Sequence, residues 1–285
     1  MTHWEIQPLQ LVPVALLAAV YWARARRLAI KGRPVPALRR TAFCAGLAVV
    51  LVAVCSPIDY LGENRLLWVH MVQHLLLGDV APLLVVLGLT GALLRPLLAV
   101  GLLRRLRPLA HPLVALPLWI VALYAWHLPV LYQAALHNDN VHALEHICFF
   151  AFGALMWAAV IEPLPGPAWF GNGWKAVYTL AVRTAGAVLG NLFIWAGHAF
   201  YPYYAGPDRL AGLSPLADQR IAGAIMFTEG SIVTLLAFAW LFIRFTRETE
   251  LRQRLVDRQL DETLAARAAR YGRSARLREV SQSRS

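Results

Sequence analysis

The chain is dominated by long apolar segments, and their length limits its fold more than any other feature. Across 285 residues, 59% are hydrophobic and only 15% are charged. The apolar residues form blocks of about 20, the number that a helix needs to cross ~30 Å of hydrocarbon. Such continuous blocks are typical of transmembrane helices, whereas barrel strands alternate apolar and polar residues. The sequence therefore predicts an all-α, polytopic membrane protein.

Seven spans are predicted from these blocks, and the charges between them predict the orientation. The spans cover residues 8–24, 38–60, 66–89, 112–132, 141–161, 175–201 and 221–245. Basic residues concentrate in two alternate loops, one from Arg24 to Arg40 and one from Arg95 to Arg107. The positive-inside rule then predicts the N-terminus outside and the C-terminus inside. Since topology accounts for the net charge of +11, this charge does not indicate a nucleic-acid partner.

Composition changes after the last span, which predicts two domains. Residues 1–245 form the predicted seven-span membrane domain, and residues 246–285 form a basic cytoplasmic tail. The tail is predicted to be helical to about Arg270 and disordered beyond it. We interpret it as a solvated segment close to anionic lipid, with a docking helix for a partner as the alternative.

Two similar histidine pairs stand near the starts of predicted spans three and five. His70 and His74 lie in the segment VHMVQH, and His142 and His146 lie in VHALEH. A spacing of four residues places both imidazoles of a pair on one face of a helix. Because ionisable side chains are costly inside a bilayer and usually functional, the pairs predict a metal site between helices. Imidazole suits copper, zinc, iron and nickel, so the ligands alone do not select the metal.

Four more residues near the outer ends of predicted spans are candidates for the same site: His127, His198, Met226 and Glu229. The two histidines are predicted to be ligands or residues on the path of the ion. Glu229 lies as deep in its span as His74 does in its own, so we expect it to bind the metal or orient a ligand. The Met226 thioether would suit Cu(I).

Two further patterns concern the arrangement of the spans. Asp79 and Arg183 are opposite charges in the inner halves of spans three and six, and we expect them to form a buried pair. The second histidine pair follows the first by 72 residues, and His198 follows His127 by 71. This echo predicts a parallel duplication of spans 3–4 and 5–6, with the site at the interface of the repeats.

Several of these segments carry a resemblance to a known family: HMVQHLLL starting at His70, the run from Trp126 to Tyr132 with Pro129, and His142 followed by Glu145 and His146. They resemble the motifs of the CtaG-type (caa3-type) cytochrome c oxidase assembly factors. The resemblance covers roughly residues 1–245.

The resemblance implies a seven-span protein of the bacterial cytoplasmic (inner) membrane that is needed for an active haem–copper oxidase. It implies a metal-binding chaperone rather than an enzyme, one that delivers copper to the oxidase copper centres. It also selects copper among the possible metals, with Cu(I) favoured and zinc left open. The implied partners are the oxidase subunits and a periplasmic copper chaperone.

Three other functions remain open from the residues. A plain metal-ion channel or exporter is one, although the inner half of the spans shows no matching relay of ligands. In an intramembrane zinc-dependent hydrolase, three histidines and an activated water would serve, with Glu229 or Glu145 as the acid or base. A b-type haem protein needs one histidine from each of two helices at one depth, for which stacked pairs are awkward.

Overall fold

A computed structural model describes residues 8–206, 212–258 and 261–271, and the regular elements within these ranges are all helical. The helices are α1 (Pro8–Ile30), α2 (Ala37–Cys55), α3 (Pro57–Asn64), α4 (Leu67–Leu75), α5 (Ala81–Gly88), α6 (Gly91–Leu94), α7 (Gly101–Leu106), α8 (Pro112–Trp126), α9 (Pro129–His137), α10 (Asp139–Ile161), α11 (Asn172–Trp195), α12 (Pro215–Val256) and α13 (Glu262–Tyr271). A π-helical turn, Leu76–Val80, joins α4 to α5. The all-α prediction is confirmed.

Several of these helices are long and apolar enough to cross a membrane. In the described part of the chain there are five: Ala37–Cys55, Leu67–Gly88, Asp139–Ile161, Asn172–Trp195 and Pro215–Val256. A sixth results if Arg104–Ala110 and α8, which meet at 77°, count as one bent span. The chain is thus a multi-pass helical membrane protein. The predicted number of seven spans stays a prediction, because α1 is not among these five helices. The predicted orientation in the membrane also stays a prediction.

Two predicted spans are interrupted where proline follows a helix end. The predicted span 38–60 divides at Ser56, whose hydroxyl accepts a hydrogen bond from the Ile58 amide and caps α3. The predicted span 112–132 ends at Trp126, and Pro129 begins α9. Proline has no N–H to continue the preceding helix but suits the first turn of the next one. The boundaries 60 and 132 were therefore wrong.

Close contact between α10 and the π-helical turn depends on glycine. A Cβ at Gly153 would lie 2.1 Å from the carbonyl oxygen of Gly78, a distance that no side chain could tolerate. Small residues allow membrane helices to approach closely and pack in the absence of a hydrophobic driving force. This contact draws α10 against the span that begins with α4.

The two ends of the helix bundle differ in charge. Arg39 donates to the carbonyls of Leu87 and Leu89, and Arg24 contacts the carbonyl of Ala92, so the first basic loop lies against the end of α5, just before the second one along the chain. We call this the basic end. The opposite end, where α4 and α10 begin, is the histidine end.

The tail continues the last span and folds back toward the basic end. α12 passes the predicted domain boundary at residue 245 without a break, and the division into two domains stays a prediction. α13 packs on α12 through Leu255, Ala265 and Ala268. Arg270 then donates to Glu162 at 2.6 Å. In the described part of the tail, residues 246–256 continue α12 and residues 262–271 form α13. The division of the tail into a helical and a disordered part stays a prediction, and residues 259–260 and 272–285 lie outside the described residues.

Candidate metal centre

Four histidines from two helices meet at the histidine end. α4 carries His70 and His74 one turn apart, and α10 carries His142 and His146 in the same way. The ring centroids of His70 and His142 are 5.4 Å apart, and those of His74 and His146 are 5.9 Å apart. All four side chains are buried. The structure brings both predicted pairs into one group, which we call the histidine cluster.

Three overlapping sets of side chains in and around this cluster could hold a metal ion. In each set the possible ligand atoms lie within 4.8 Å of one another. The sets are His70 with His74 and His146; Asp59 with His142 and His146; and His70 with His142 and Glu145. No set found in the described ranges contains all four histidines. The cluster therefore offers alternative three-ligand sites that share members.

Three imidazoles are held by one ring nitrogen while the other has no hydrogen bond. His142 Nδ1 lies 2.5 Å from Glu63 Oε1, and His146 Nδ1 lies 3.2 Å from Gln10 Oε1. His127 Nδ1 lies 2.7 Å from the Leu123 carbonyl oxygen. Each Nε2 atom is buried without a partner in the described residues. A metal-binding histidine usually donates its second N–H in this way, which fixes its tautomer and leaves the other nitrogen free for the ion.

A tyrosine orients a fourth imidazole. Tyr204 donates its hydroxyl proton to the Gly62 carbonyl at 2.7 Å, so the contact from His70 Nδ1 at 3.1 Å is a donation by the imidazole. His70 Nε2 then carries no proton and lies 2.7 Å from His74 Nε2. Gly62 permits this arrangement because a Cβ there would lie 2.9 Å from the Cα of His70.

Three carboxylates lie beside the histidines; Asp59 and Glu63 were not predicted as site residues, and Glu145 was predicted only as an acid or base of the alternative hydrolase. Glu145 is fully buried, has no hydrogen bond to either oxygen, and lies 3.7 Å from His74 Nε2. Asp59 is also buried and accepts a hydrogen bond from Gln73. Glu63 contacts His142 as described above. A buried carboxylate without hydrogen bonds is costly, and a bound cation would compensate its charge. The sequence contains features that could have indicated them, since Glu145 lies inside the second histidine motif and Asp59 and Glu63 are one helical turn apart.

A cavity of ≈ 90 Å³ lies next to the cluster and contains three of the other predicted site residues, His127, Met226 and Glu229. His127 is buried, and its ring centroid is 5.8 Å from that of His74. Met226 and Glu229 both line the cavity, together with Met71. The structure therefore places His127 against the cluster and Met226 and Glu229 beside the cavity.

The predicted pair of Asp79 and Arg183 is replaced by a wider polar group in the same cavity. Asp79 accepts a hydrogen bond from Trp157 Nε1 at 2.6 Å and interacts with Glu229. Arg183 donates to Ser231 at 2.6 Å and also interacts with Glu229. The direct ion pair was the wrong expectation, because Glu229 from α12 is the partner that both residues share.

His198 lies apart from the histidine cluster. Its side chain is exposed in the irregular segment after α11, with its ring 5.5 Å from that of Phe200. The predicted span 175–201 ends at Trp195, so His198 is not carried back into the bundle. The structure thus separates His198 from His127, although the proposed repeat relates them; the duplication itself stays a prediction.

Comparison with known families places this geometry in context. Residues 19–248 match the family described as "Cytochrome c oxidase caa3 assembly factor". The chain belongs to this family. The matched region contains the whole histidine cluster and its carboxylates. Gln10, which contacts His146, lies before this region. A multi-pass protein with a buried histidine cluster is thus a member of a family of oxidase assembly factors.

Three relatives of this chain are longer than it is. It is 25% identical, over its full length, to uncharacterized proteins of Mycobacterium bovis and Mycobacterium tuberculosis, of which it covers 45%. It is 24% identical, over 93% of its length, to an uncharacterized protein of Mycobacterium leprae, of which it covers 42%. The chain therefore spans less than half the length of these relatives. No solved structure matches it.

Proposed function

We propose that this assembly factor binds copper at the histidine cluster and helps to deliver it to the copper centres of a haem–copper cytochrome c oxidase. The observation that carries the proposal is the set of buried imidazoles with Nδ1 held and Nε2 bare. Neutral imidazole is a good ligand for copper. The assembly role implied by the family supplies the reason to choose copper over zinc.

The overlap of the ligand sets suits an ion that must be passed on. His70, His142 and His146 each belong to two of the three sets, so the ion could change partners one ligand at a time. Glu145 would compensate the charge of the ion in the membrane interior. Met71 and Met226 line the cavity that adjoins His74 and His127, and thioethers favour Cu(I). Cu(I) is therefore the proposed form of the cargo.

The partners and location follow from this role. The proposed receivers are subunits of the oxidase, and the proposed donor is a periplasmic copper chaperone. The multi-pass chain would lie in the bacterial inner membrane with its histidine end facing outward. This orientation rests on the positive-inside rule and on the basic loops at the opposite end.

The test is the copper content of detergent-purified protein after loading with Cu(I) under reducing conditions. We expect stoichiometric copper in the wild type and a loss of binding in His74→Ala and in His146→Ala. His198→Ala is the matched control, since its imidazole is exposed and apart from the cluster, and it should retain copper. Equal copper in the cluster variants and the control would contradict the proposal.

A zinc-dependent hydrolase is the second candidate, and one observation favours it. Glu145 lies with His70 and His142 in one ligand set, and neither of its oxygens has a hydrogen bond in the described residues. In a hydrolase its carboxylate would be free to act as the general base beside a zinc ion. Zinc that co-purifies with the protein, without uptake of copper, would support this function over copper delivery.

A further inference from the structure

A second, much larger cavity opens at the basic end and is separate from the metal centre. Its volume is ≈ 860 Å³. Its apolar wall is formed by the ends of α5 and α10 and the start of α8, including Val86, Val114, Leu155 and Ala158. Ala158 follows His146 by 12 residues along α10, which is about 18 Å of helix. The cavity is therefore separate from the histidine cluster.

Two arginines at the cavity have no partner among the described residues. Arg104 and Arg107 line it, and both are exposed. Neither forms a hydrogen bond or ion pair with any described residue. Arginine presents a planar fork of N–H donors that matches a phosphate group. These two guanidinium groups are thus available to an anionic ligand.

The segment that carries the arginines has the geometry of an interfacial helix. Arg104–Ala110 meets α8 at 77°. If α8 crosses the membrane, this segment lies nearly parallel to the bilayer surface. Basic segments in this position interact with anionic lipid headgroups. The arginines would then lie at headgroup level, above an apolar wall that continues into the spans.

The acidic residue that lines the cavity does not oppose an anion. Glu162 is the single carboxylate among its described lining residues. Lys175 and Arg270 each contact it at 2.6 Å, and Arg244 lies 3.6 Å away. Its charge is therefore compensated within the protein, and Arg104 and Arg107 set the charge of the cavity.

We propose that this cavity binds an anionic phospholipid, with the phosphate at Arg104 and Arg107 and the acyl chains along the wall of α5 and α10. A soluble phosphate would satisfy the arginines but leave the apolar wall uncovered. A zwitterionic lipid would cover the wall but gain less from the two positive charges. An anionic phospholipid fits both features.

The experiment is native mass spectrometry of the full chain, delipidated in detergent and titrated with phosphatidylglycerol or with phosphatidylcholine. We expect preferential retention of phosphatidylglycerol. In Arg104→Gln/Arg107→Gln the affinity for phosphatidylglycerol should fall about 25-fold, from about fivefold for each arginine near the membrane surface. The matched control is Arg26→Gln/Arg27→Gln, which removes two exposed arginines that do not line the cavity, and it should bind as the wild type does.

A second variant tests the apolar wall independently of the arginines. Ala158→Phe keeps both arginines but fills the cavity from the α10 wall, so it should also lower retention of phosphatidylglycerol. Equal retention of the two lipids, an equal loss in the control, or wild-type binding by Ala158→Phe would overturn the proposal. Full competition by glycerol 3-phosphate would also overturn it and indicate a site for a soluble anion.

Discussion

At the scale of single residues, the candidate site depends on groups that hold the histidines as much as on the histidines themselves. Glu63 contacts His142, Gln10 contacts His146, and Tyr204 contacts His70. Each contact uses Nδ1 and directs the ring so that Nε2 faces the cluster. A ligand that is already oriented binds a metal with less loss of side-chain freedom.

The Glu63 contact can be tested by one substitution. Glu63→Gln should weaken Cu(I) affinity by roughly 10- to 100-fold, the usual cost of losing a group that orients a ligand. Affinity is measured by competition with a chromophoric Cu(I) chelator. Asp139→Asn is the control, because this exposed residue begins the same helix as His142 without contacting the cluster. Affinity that does not differ between the two variants would show that Glu63 does not orient the site.

At the scale of elements, the metal centre exists because α10 is pressed against the span that carries His70 and His74. The π-helical turn directly after α4 contains Gly78, and Gly153 packs on it without a Cβ. π-Helical turns inside α-helices are frequent at functional sites. The contact lies about two turns below the level of the histidines and sets the distance between the two pairs.

A methyl group at this contact should disturb both folding and binding. Gly153→Ala forces α10 away from the turn, and we expect a loss of stability of about 1–3 kcal/mol, as for other overpacked sites, together with weaker Cu(I) binding. Thermal unfolding in detergent and the chelator assay measure the two effects. Gly186→Ala is the matched control, since a Cβ there meets nothing within 4 Å. A Gly153→Ala protein as stable as the control would show that the backbone contact is looser than described.

At the scale of the whole molecule, the tail and the membrane helices are joined through Glu162. This residue ends α10 with φ 55°, and its carboxylate contacts Lys175 from α11 and Arg270 from α13. Arg270 also donates to the carbonyls of Ala168 and Phe170. Burial acts to raise the pKa of Glu162, but Lys175 and Arg270 lower it by more, so this pKa lies below its ordinary value.

The sign of this shift predicts how tail docking depends on pH. Ionised Glu162 stabilises the docked tail fully above the ordinary pKa of glutamate, ~4.3, and this contribution is lost as the pH falls through the lower pKa of the folded state. Hydrogen exchange of residues 262–271, normalised to an unstructured peptide, should therefore become faster on acidification.

Two variants check this assignment. Glu162→Gln should leave α13 open to exchange already at neutral pH. Glu250→Gln, which removes an exposed partner of Arg254, should not. Exchange that is independent of pH in the wild type, or protected in Glu162→Gln, would contradict a role for this carboxylate.

The predictions that the structure confirms depend on short stretches of the chain. The length and polarity of an apolar block determine that it forms a membrane helix, and a spacing of four determines that His70 and His74, or His142 and His146, share one face. Both properties are local, so the sequence by itself determined the helical membrane class and the two histidine pairs. The breaks at Ser56 and after Trp126 do not show in the apolar pattern, because they depend on the proline that follows each.

Only the tertiary structure decided which side chains meet. His127 reaches His74 while His198 does not, Glu63 and Gln10 contact the second histidine pair, and Glu229 partners Asp79. These contacts join residues on different helices, and no pattern along one helix encodes how the helices pack. The same holds for the cavity at Arg104 and Arg107, whose apolar wall comes from separate spans. The sequence therefore indicates the chemistry of the ligands, whereas their assembly depends on how the helices pack. One example is Gly153, whose lack of a Cβ allows α10 to contact Gly78.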